Sequence, residues 1–506
     1  MTEIRPAQRS QEIELKLALP GQDIRELTRK LKNAPPMVGQ RARKQSLLNT
    51  YFDTPDQKLH QMQIALRVRQ IASGKGHVWL QTLKTNGGGD SALSKRGEWE
   101  VAIGSSGLSV DALANTPWQD IDPDGSLFLE LAPCFTTRFE RTSWEVQDER
   151  GSVIAVSLDI GQIEAGERHA PICELELELL SGIPASLFDV AGNISQIVAV
   201  IPASQSKSER GHALALGTTD MPQRSRPPRL VAGQSADEAA TLVLREVFSQ
   251  FTQNLGLILV TDNPEVVHQA RVGWRRLKTA LRFFSPLLQA APMPDLSPMR
   301  PMLTAMGYLR DLDEMMAATL PAIERPYVAA DEARQIIWGH FEVVLVKAAQ
   351  AARADVRQAI RDPAVGSALL AMTRFIEERA EAGEKESGRE SVPVGVKPWA
   401  ERRVEKLREK LKLALQNCVD ADDRHRARIL AKRLRYSVEA MQTVLPNQRA
   451  RRWLKRATSI QNEIGTSRDL QRAIRIAEEF GANPGLLEFL RGYGLGTEQG
   501  HDRLRF

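Results

Sequence analysis

Residues 12–17, EIELKL, alternate in the sense opposite to an ordinary sheet strand. In an extended chain Glu12, Glu14 and Lys16 share one side, and Ile13, Leu15 and Leu17 share the other. The pattern returns along the first half. LRVR puts Arg67 and Arg69 on one face, HVWLQTLK ends at Lys84, and RGEWE aligns Arg96, Glu98 and Glu100. RTSWE aligns Arg141 and Glu145, SLDIG supplies Asp159, and CELELEL aligns Glu174, Glu176 and Glu178. A single strand of this kind is a sheet edge with a solvated charged face. Several, carrying charges of both signs and backed by Leu15, Leu66, Val68, Leu175 and Leu177, require a shared wet interior, because unpaired charge in a dry core is very costly. A closed β-barrel meets that requirement, with its apolar faces under outer helices and a water-filled tunnel lined by acids and bases.

The chemistry follows from the lining. Carboxylates two residues apart on a strand stand about 7 Å apart at the backbone, and their side chains can converge on a hard cation. Mg²⁺ takes a few carboxylates together with waters and phosphate oxygens, while Arg and Lys clamp the remaining phosphate charge. Acids and bases in one cavity therefore point to a metal–polyphosphate complex.

The chain has 506 residues, enough for two or three domains. Strands are expected at 12–18, 47–52, 64–71, 77–84, 95–102, 139–147, 153–160 and 171–180, with helices at 22–33, 186–199 and near 109–116. A Pro-, Arg- and Ser-rich segment at about 218–235 reads as a linker, after which the pattern becomes helical. The expected organisation is a β-rich domain over 1–218, a linker over 219–235 and an all-α domain over 236–506. Residues 1–225 carry 24 Lys/Arg against 28 Asp/Glu and the remainder 44 against 35, so the helical part alone invites a general polyanion argument. Cys134, Cys173 and Cys418 are widely spaced and odd in number, and no apolar run approaches the ~20 residues of a membrane span. With no apolar signal core at the start, a cytoplasmic protein that does not engage a membrane is expected.

The helical part repeats itself. HQARVGWRRLK (268–278) aligns without gaps on HRARILAKRLR (425–435), and MGYLRDL (306–312) aligns on IGTSRDL (464–470). A break at 383–398 separates two related halves, about 236–382 and 399–506. Steps of three and four place His268, Arg271, Arg275, Lys278 and Arg282 in one stripe, beside an apolar stripe that includes Val267, Ala270 and Leu277. His425, Arg428, Lys432 and Arg435 repeat the basic row. Two copies of one charge geometry favour a paired polyanion surface. Nucleic acid is disfavoured as its ligand, since aromatic content is 5% and few stacking residues lie near the rows.

Residues 12–17 resemble the ExExK signature of the CYTH superfamily, the triphosphate tunnel metalloenzymes. YFDT at 51–54, LRVR, TLK, RGEWE, LDIG and ELELEL follow in the family's order, over about 10–218. The resemblance implies an eight-stranded antiparallel tunnel acting on triphosphate-containing substrates with Mg²⁺ or Mn²⁺. It implies Glu12, Glu14, Asp159, Glu174 and Glu176 as metal ligands. Lys16, Arg67, Arg69, Lys84, Arg141 and Lys207 would bind phosphate, and Glu12, Glu14, Lys16 and Lys84 would form the catalytic set. Glu178 competes with Glu174, and Arg138 with Arg141. Arg96, Glu98 and Glu100 are expected to line the tunnel, as clamp or as scaffold. Tyr51 and Lys84 are candidate participants, and no general base is identifiable. The repeated motifs resemble the CHAD domain over about 236–506. That resemblance implies two pseudo-symmetric four-helix bundles with a basic surface for inorganic polyphosphate, and Arg310, Asp311, Arg468 and Asp469 match its second motif.

The expected function is metal-dependent hydrolysis of inorganic triphosphate, with a C-terminal polyphosphate-binding module. One alternative is a hydrolase or cyclase acting on a nucleoside or thiamine triphosphate. Another is a polyphosphate-binding or localisation protein with a weakly active tunnel.

Overall fold

A computed structural model describes residues 11–21, 23–73, 76–85, 91–289, 292–386, 394–463 and 466–501. Residues 86–90 of the Gly-rich connection and 387–393 of the second break lie outside the described residues. The alternating segments form β1 (Glu12–Ala18), β2 (Arg43–Asp53), β3 (Ile64–Ser73), β4 (Gly76–Thr85), β5 (Leu93–Ile103), β6 (Ala132–Gln147), β7 (Val153–Ala165) and β8 (Arg168–Ser181). They run antiparallel in the order β5-β4-β3-β2-β6-β7-β8-β1, and β1 pairs back onto β5, so the sheet closes into an eight-stranded barrel. A two-residue β9 (Ile201–Pro202) adds to β1.

The apolar faces point outward under helices. Leu15, Leu17, Trp144, Val156, Leu158, Leu175 and Leu177 pack with Leu27 and Leu31 of the helix Ile24–Lys32 and with Leu187, Ala191 and Ile194 of the helix Ala185–Ser195. Each such side chain contributes roughly 1.5–3 kcal/mol of transfer free energy. The first of these helices starts where Asp23 accepts the backbone N–H of Glu26 at 2.9 Å. The helix expected near 109–116 is only the 3₁₀ turn Asp111–Leu113. Gln81 of β4 holds both backbone groups of Ser109, which ties the start of the segment to the barrel and keeps those groups from helical bonding.

One end of the barrel interior is apolar. Leu47, Phe135, Phe139, Ile163 and Ile172 gather around Leu214 of the helix Lys207–Leu216, which closes that end. Gly211 permits the close approach, since a Cβ there would stand 2.0 Å from the Phe135 ring.

Beyond residue 235 the chain is helical. The expected linker has no helix or strand before Ser235, yet it is fastened down. Gln223 bonds Asn254, Arg226 N–H donates to Glu246, and Leu230 N–H donates to Thr443. The helices of both repeats share one continuous apolar core rather than two separate ones. The helix Pro363–Glu386 belongs to this part but faces the barrel. Its Leu370 lies in the barrel's outer apolar cluster, Ser367 bonds Ser195 at 2.9 Å, and Arg374 pairs with Asp189 at 2.6 Å.

Candidate active site

Cross-strand register brings the charged positions together inside the barrel. Glu12 stands opposite Arg96, Lys16 opposite Glu176, Glu14 opposite Glu178, Lys84 opposite Glu98, Arg141 opposite Asp159, and Asp159 opposite Glu174. All of these but Asp159 and Glu174 line a cavity of about 240 Å³, whose lining includes Glu12, Glu14, Lys16, Arg67, Arg69, Lys84, Arg96, Glu98, Glu100, Arg141, Glu176, Glu178 and Lys207. At about 30 Å³ per water it has room for several waters, which is what charges of both signs require.

The strand order divides the wall. Asp159 on β7, Glu174, Glu176 and Glu178 on β8, and Glu12 and Glu14 on β1 occupy one side. Arg67 and Arg69 on β3 and Lys84 on β4 lie across the barrel from β7 and β8. Internal cations crowd the acidic wall, although Glu174 Oε1, close to Lys207, has no hydrogen-bond partner among the described residues. Lys207 Nζ lies 2.6 Å from Asp159, 2.5 Å from Glu174 and 2.9 Å from Glu176, and Arg141 grips Asp159 and Glu176 at 2.7 and 2.5 Å. Arg96 donates to Glu12 at 2.8 Å and Glu14 at 2.5 Å, and Lys16 reaches Glu14 at 3.3 Å.

The basic wall is loosely satisfied by comparison. Arg67 lies 3.5 Å from the Tyr51 hydroxyl and 3.7 Å from Glu98, and its buried Nε has no hydrogen-bond partner among the described residues. Arg69 bonds Asn49 at 2.8 Å but stands 3.8 Å from Glu100. Lys84 bridges Glu12 and Glu98 at 2.9 and 3.0 Å.

Electrostatics keep these groups ionised. Burial opposes charge on Glu176, but Lys207 and Arg141 outweigh it and hold the carboxyl well below the usual range. Burial likewise opposes charge on Glu12, and Lys84 and Arg96 overcome it. For the Lys207 ammonium the three acids outweigh burial and raise its pKa. Burial raises the Tyr51 phenol, yet the Arg67 charge and hydrogen bond bring it below its ordinary value.

The two open placements separate by position. Arg141 faces the cavity and Arg138 is exposed on the opposite face of β6. Glu174 and Glu176 join Asp159 in a cluster whose carboxylate oxygens lie within 4.8 Å of one another, while Glu178 lines the cavity opposite Glu14. Arg210, which the sequence reading did not single out, donates to Glu174 at 2.9 Å. Its signal was available: it lies one helical turn beyond Lys207 on the closing helix.

The acidic cluster fits a divalent cation. Asp159 is fully buried and Glu174 is 3% exposed. Three hard oxygen donors already converge on a positive charge, the Lys207 ammonium, which stands in for an ion.

On the helix Pro264–Phe283, His268, Arg271 and Arg275 are half-buried, while Lys278 and Arg282 are exposed. The matching row on the helix Ala421–Met441 places His425 in the open and Arg428, Lys432 and Arg435 half-buried. The two helices meet where Arg276 reaches Glu439 at 3.3 Å and lies over Tyr436. Like charges are crowded here. Partial desolvation by the crowded neighbours, then the charges of Arg282, Arg271, Arg275 and Arg433, lower the Lys278 pKa, so bases of both repeats share one field. Burial and Arg310 push the His268 imidazole down to about 4, leaving it neutral at pH 7. Asp311 pairs with Arg472 of the second repeat at 3.1 Å. The side chains of Arg468 and Asp469 lie outside the described residues. Among the described residues, no helix is long and apolar enough to cross a membrane.

Residues 10–211 match the CYTH domain and residues 242–478 the CHAD domain. Over 205 residues the chain is 36% identical to a protein named inorganic triphosphatase in Haemophilus influenzae, covering 40% of this chain and 55% of that protein. The chain thus spans about half the length of that relative. Two solved structures are also similar. The CHAD domain from the plant Ricinus communis is 26% identical, covering 56% of this chain and 97% of that one, with a TM-score of 0.47. An adenylyl cyclase-like protein from Hippeastrum, described as having a dominant triphosphatase activity, is 17% identical over 40% of this chain and 95% of that one, with a TM-score of 0.30.

Proposed function

Because this chain carries a CYTH domain followed by a CHAD domain, we propose that it hydrolyses inorganic triphosphate in the barrel and holds inorganic polyphosphate on its paired basic helices. The observation that carries the reading is the divided wall. One side gathers acids on internal cations, and the other presents Arg67 and Arg69 with weakly engaged guanidinium groups. Acids and bases nearly balance around the cavity, so a bare triphosphate would leave it strongly negative. The arrangement suits an anion that arrives with divalent cations.

Glu12, Glu14, Asp159, Glu174 and Glu176 would hold Mg²⁺ or Mn²⁺, which when bound supplies charge neutralisation and an activated water. Arg67, Arg69 and Lys84 bind phosphate oxygens across the barrel, and Lys16, Arg141 and Lys207 hold the chain of phosphates from the acidic side. Water attacks the terminal phosphorus in line, its P–O bond forming as the bond to the pyrophosphate leaving group breaks. The protein's contribution is positioning and fixed charge.

A cavity of about 240 Å³ is smaller than the roughly 300–1,000 Å³ typical of drug-sized ligands, and its few apolar groups form no slot for a base. Both features favour a bare triphosphate over a nucleotide. The deciding experiment is phosphate release from triphosphate, longer polyphosphates, ATP and thiamine triphosphate, with Mg²⁺, with Mn²⁺ and with chelator. Preference for ATP or thiamine triphosphate would reassign the substrate. Absence of turnover on all four would leave only the polyphosphate-binding role.

A further inference from the structure

The barrel is closed by its shortest main ladder. β1 and β5 pair only from Glu12↔Arg96 to Leu15↔Leu93, extended by the Lys16 N–H donating to Ala92 O at 3.0 Å. This seam carries Arg96, the residue that holds both Glu12 and Glu14. It is also where the helical region grips the barrel. Ser91, one residue before that bonded carbonyl, donates its hydroxyl to Glu377 at 2.7 Å and accepts the Leu93 N–H at 3.2 Å. Glu377 is 4% exposed and is itself fixed by the Arg245 guanidinium, which donates to both of its oxygens from the helix Ala236–Ile258. One turn beyond Glu377 on the helix Pro363–Glu386, Glu381 pairs with Lys95 at 3.3 Å. Lys95 and Arg96 are neighbours on β5 and point to opposite faces. The start of β5 is therefore held from outside by Glu377 and Glu381 and from inside by Glu12 and Glu14.

We propose that Glu377, acting through Ser91, is a positioning residue for the active site, and that the helical region thereby sets the placement of Arg96, Glu12 and Glu14. The inference rests on the triphosphatase reading for its kinetic consequence but not for its structural one. A buried carboxylate locked by a bidentate guanidinium is a rigid post, and Ser91 transmits its position into the seam through two hydrogen bonds, one of 2.7 Å to Glu377 and one of 3.2 Å from the Leu93 N–H. Arg67 and Arg69 lie on the other wall, so substrate capture is left largely intact.

The test uses the full chain with Ser91→Ala, which removes one hydroxyl and leaves the Arg245–Glu377 pair in place, and Ser91→Thr, which restores a hydroxyl. Hydrogen exchange is followed without metal, and triphosphate kinetics with saturating Mg²⁺. In the alanine variant, exchange at the β1 and β5 amides is expected to rise about five- to tenfold, the usual weight of one buried hydrogen bond, with the β6–β8 amides unchanged. The kcat for triphosphate should fall by a similar factor with KM within about twofold, and threonine should restore both. Unchanged exchange at the seam, a uniform rise across the barrel, or failure of threonine to rescue would overturn the proposal. A wild-type chain inert toward triphosphate would instead defeat the triphosphatase reading, and exchange in Glu377→Gln, which leaves the Ser91–Leu93 bond in place, would still decide the role of Glu377, since an unchanged seam there would overturn it.

Discussion

The barrel and the paired basic helices both collect Lys and Arg, but they arrange the charge oppositely. In the barrel Lys16, Lys84, Arg96 and Arg141 each face an acid in register, and the local field keeps Glu176 and Lys207 ionised despite burial. On the helices bases crowd against bases, and the Lys278 and Arg271 pKa values are depressed by partial desolvation and by their neighbours. A balanced, buried set discriminates, because only a ligand that brings its own matching charges can replace the internal pairs. A crowded, half-exposed set, if it takes a polyanion as proposed, would do so with little discrimination and with a strong dependence on bulk salt. The two regions therefore differ in kind of recognition more than in strength of charge.

The sharpest way to break this contrast is at the acidic wall. Glu12→Gln or Glu14→Gln should lower triphosphate turnover by at least about a hundredfold at saturating Mg²⁺, the scale of losing a charge-stabilising group, with the melting temperature checked alongside. Near-normal turnover would remove these carboxylates from the site. Next in size is the opposite wall. Arg67→Ala and Arg69→Ala should each cost about 2–4 kcal/mol, roughly 30- to 1,000-fold in kcat/KM, with every triphosphate substrate. A loss confined to ATP would contradict a clamp on phosphate oxygens.

Salt separates the regions directly. Retention of long polyphosphate by the full chain should weaken steeply with salt, by on the order of a thousandfold from about 50 to 200 mM if six or more phosphates are engaged. The KM for triphosphate, set by buried groups, should move far less over the same range. Replacing Arg271, Arg275, Arg428 and Lys432 with Ala should weaken polyphosphate retention further and leave triphosphate turnover unaffected. Duplex DNA winning the competition would turn the basic face toward nucleic acid.

The smallest effect concerns His268. Its pKa of about 4 lies below the ordinary 6.5, so between those values the unfolded chain holds a proton that the folded chain refuses. Stability should fall as pH drops from about 6.5 toward 4, and His268→Gln should make that decline shallower in melting curves. An unaltered slope would mean that the imidazole is not kept neutral by its surroundings.

Much of the barrel was legible because a period of two, with charge on one face and Leu or Val on the other, leaves few alternatives. Legibility failed where the inner face stops being polar. Phe139 faces inward with Lys207 5.0 Å from its ring, so around Arg138 and Arg141 the rule of charge inside and apolar outside no longer fixes the phase. Only the pairing of Arg141 with Asp159 places it in the cavity. The grip of Glu377 on Ser91 was invisible for a different reason. Glu377 sits in FIEERAEAGEKE, an acid-rich helical run that reads as a solvated face, and nothing local marks which of its acids is buried. Interfaces between distant segments leave no periodicity of their own.

The seating of Leu370 and Glu377 on the barrel has a consequence for synthesis. All the strands have been made once residue 202 is joined, but the helix Pro363–Glu386 is complete only when residue 386 leaves the ribosome. At about 5–20 residues per second, translation from residue 218 to residue 386 takes roughly ten to thirty seconds. During that interval the nascent barrel has an uncovered apolar outer patch and a closing seam without its outside tether. It reaches its final form only when a much later stretch of chain returns to cover it.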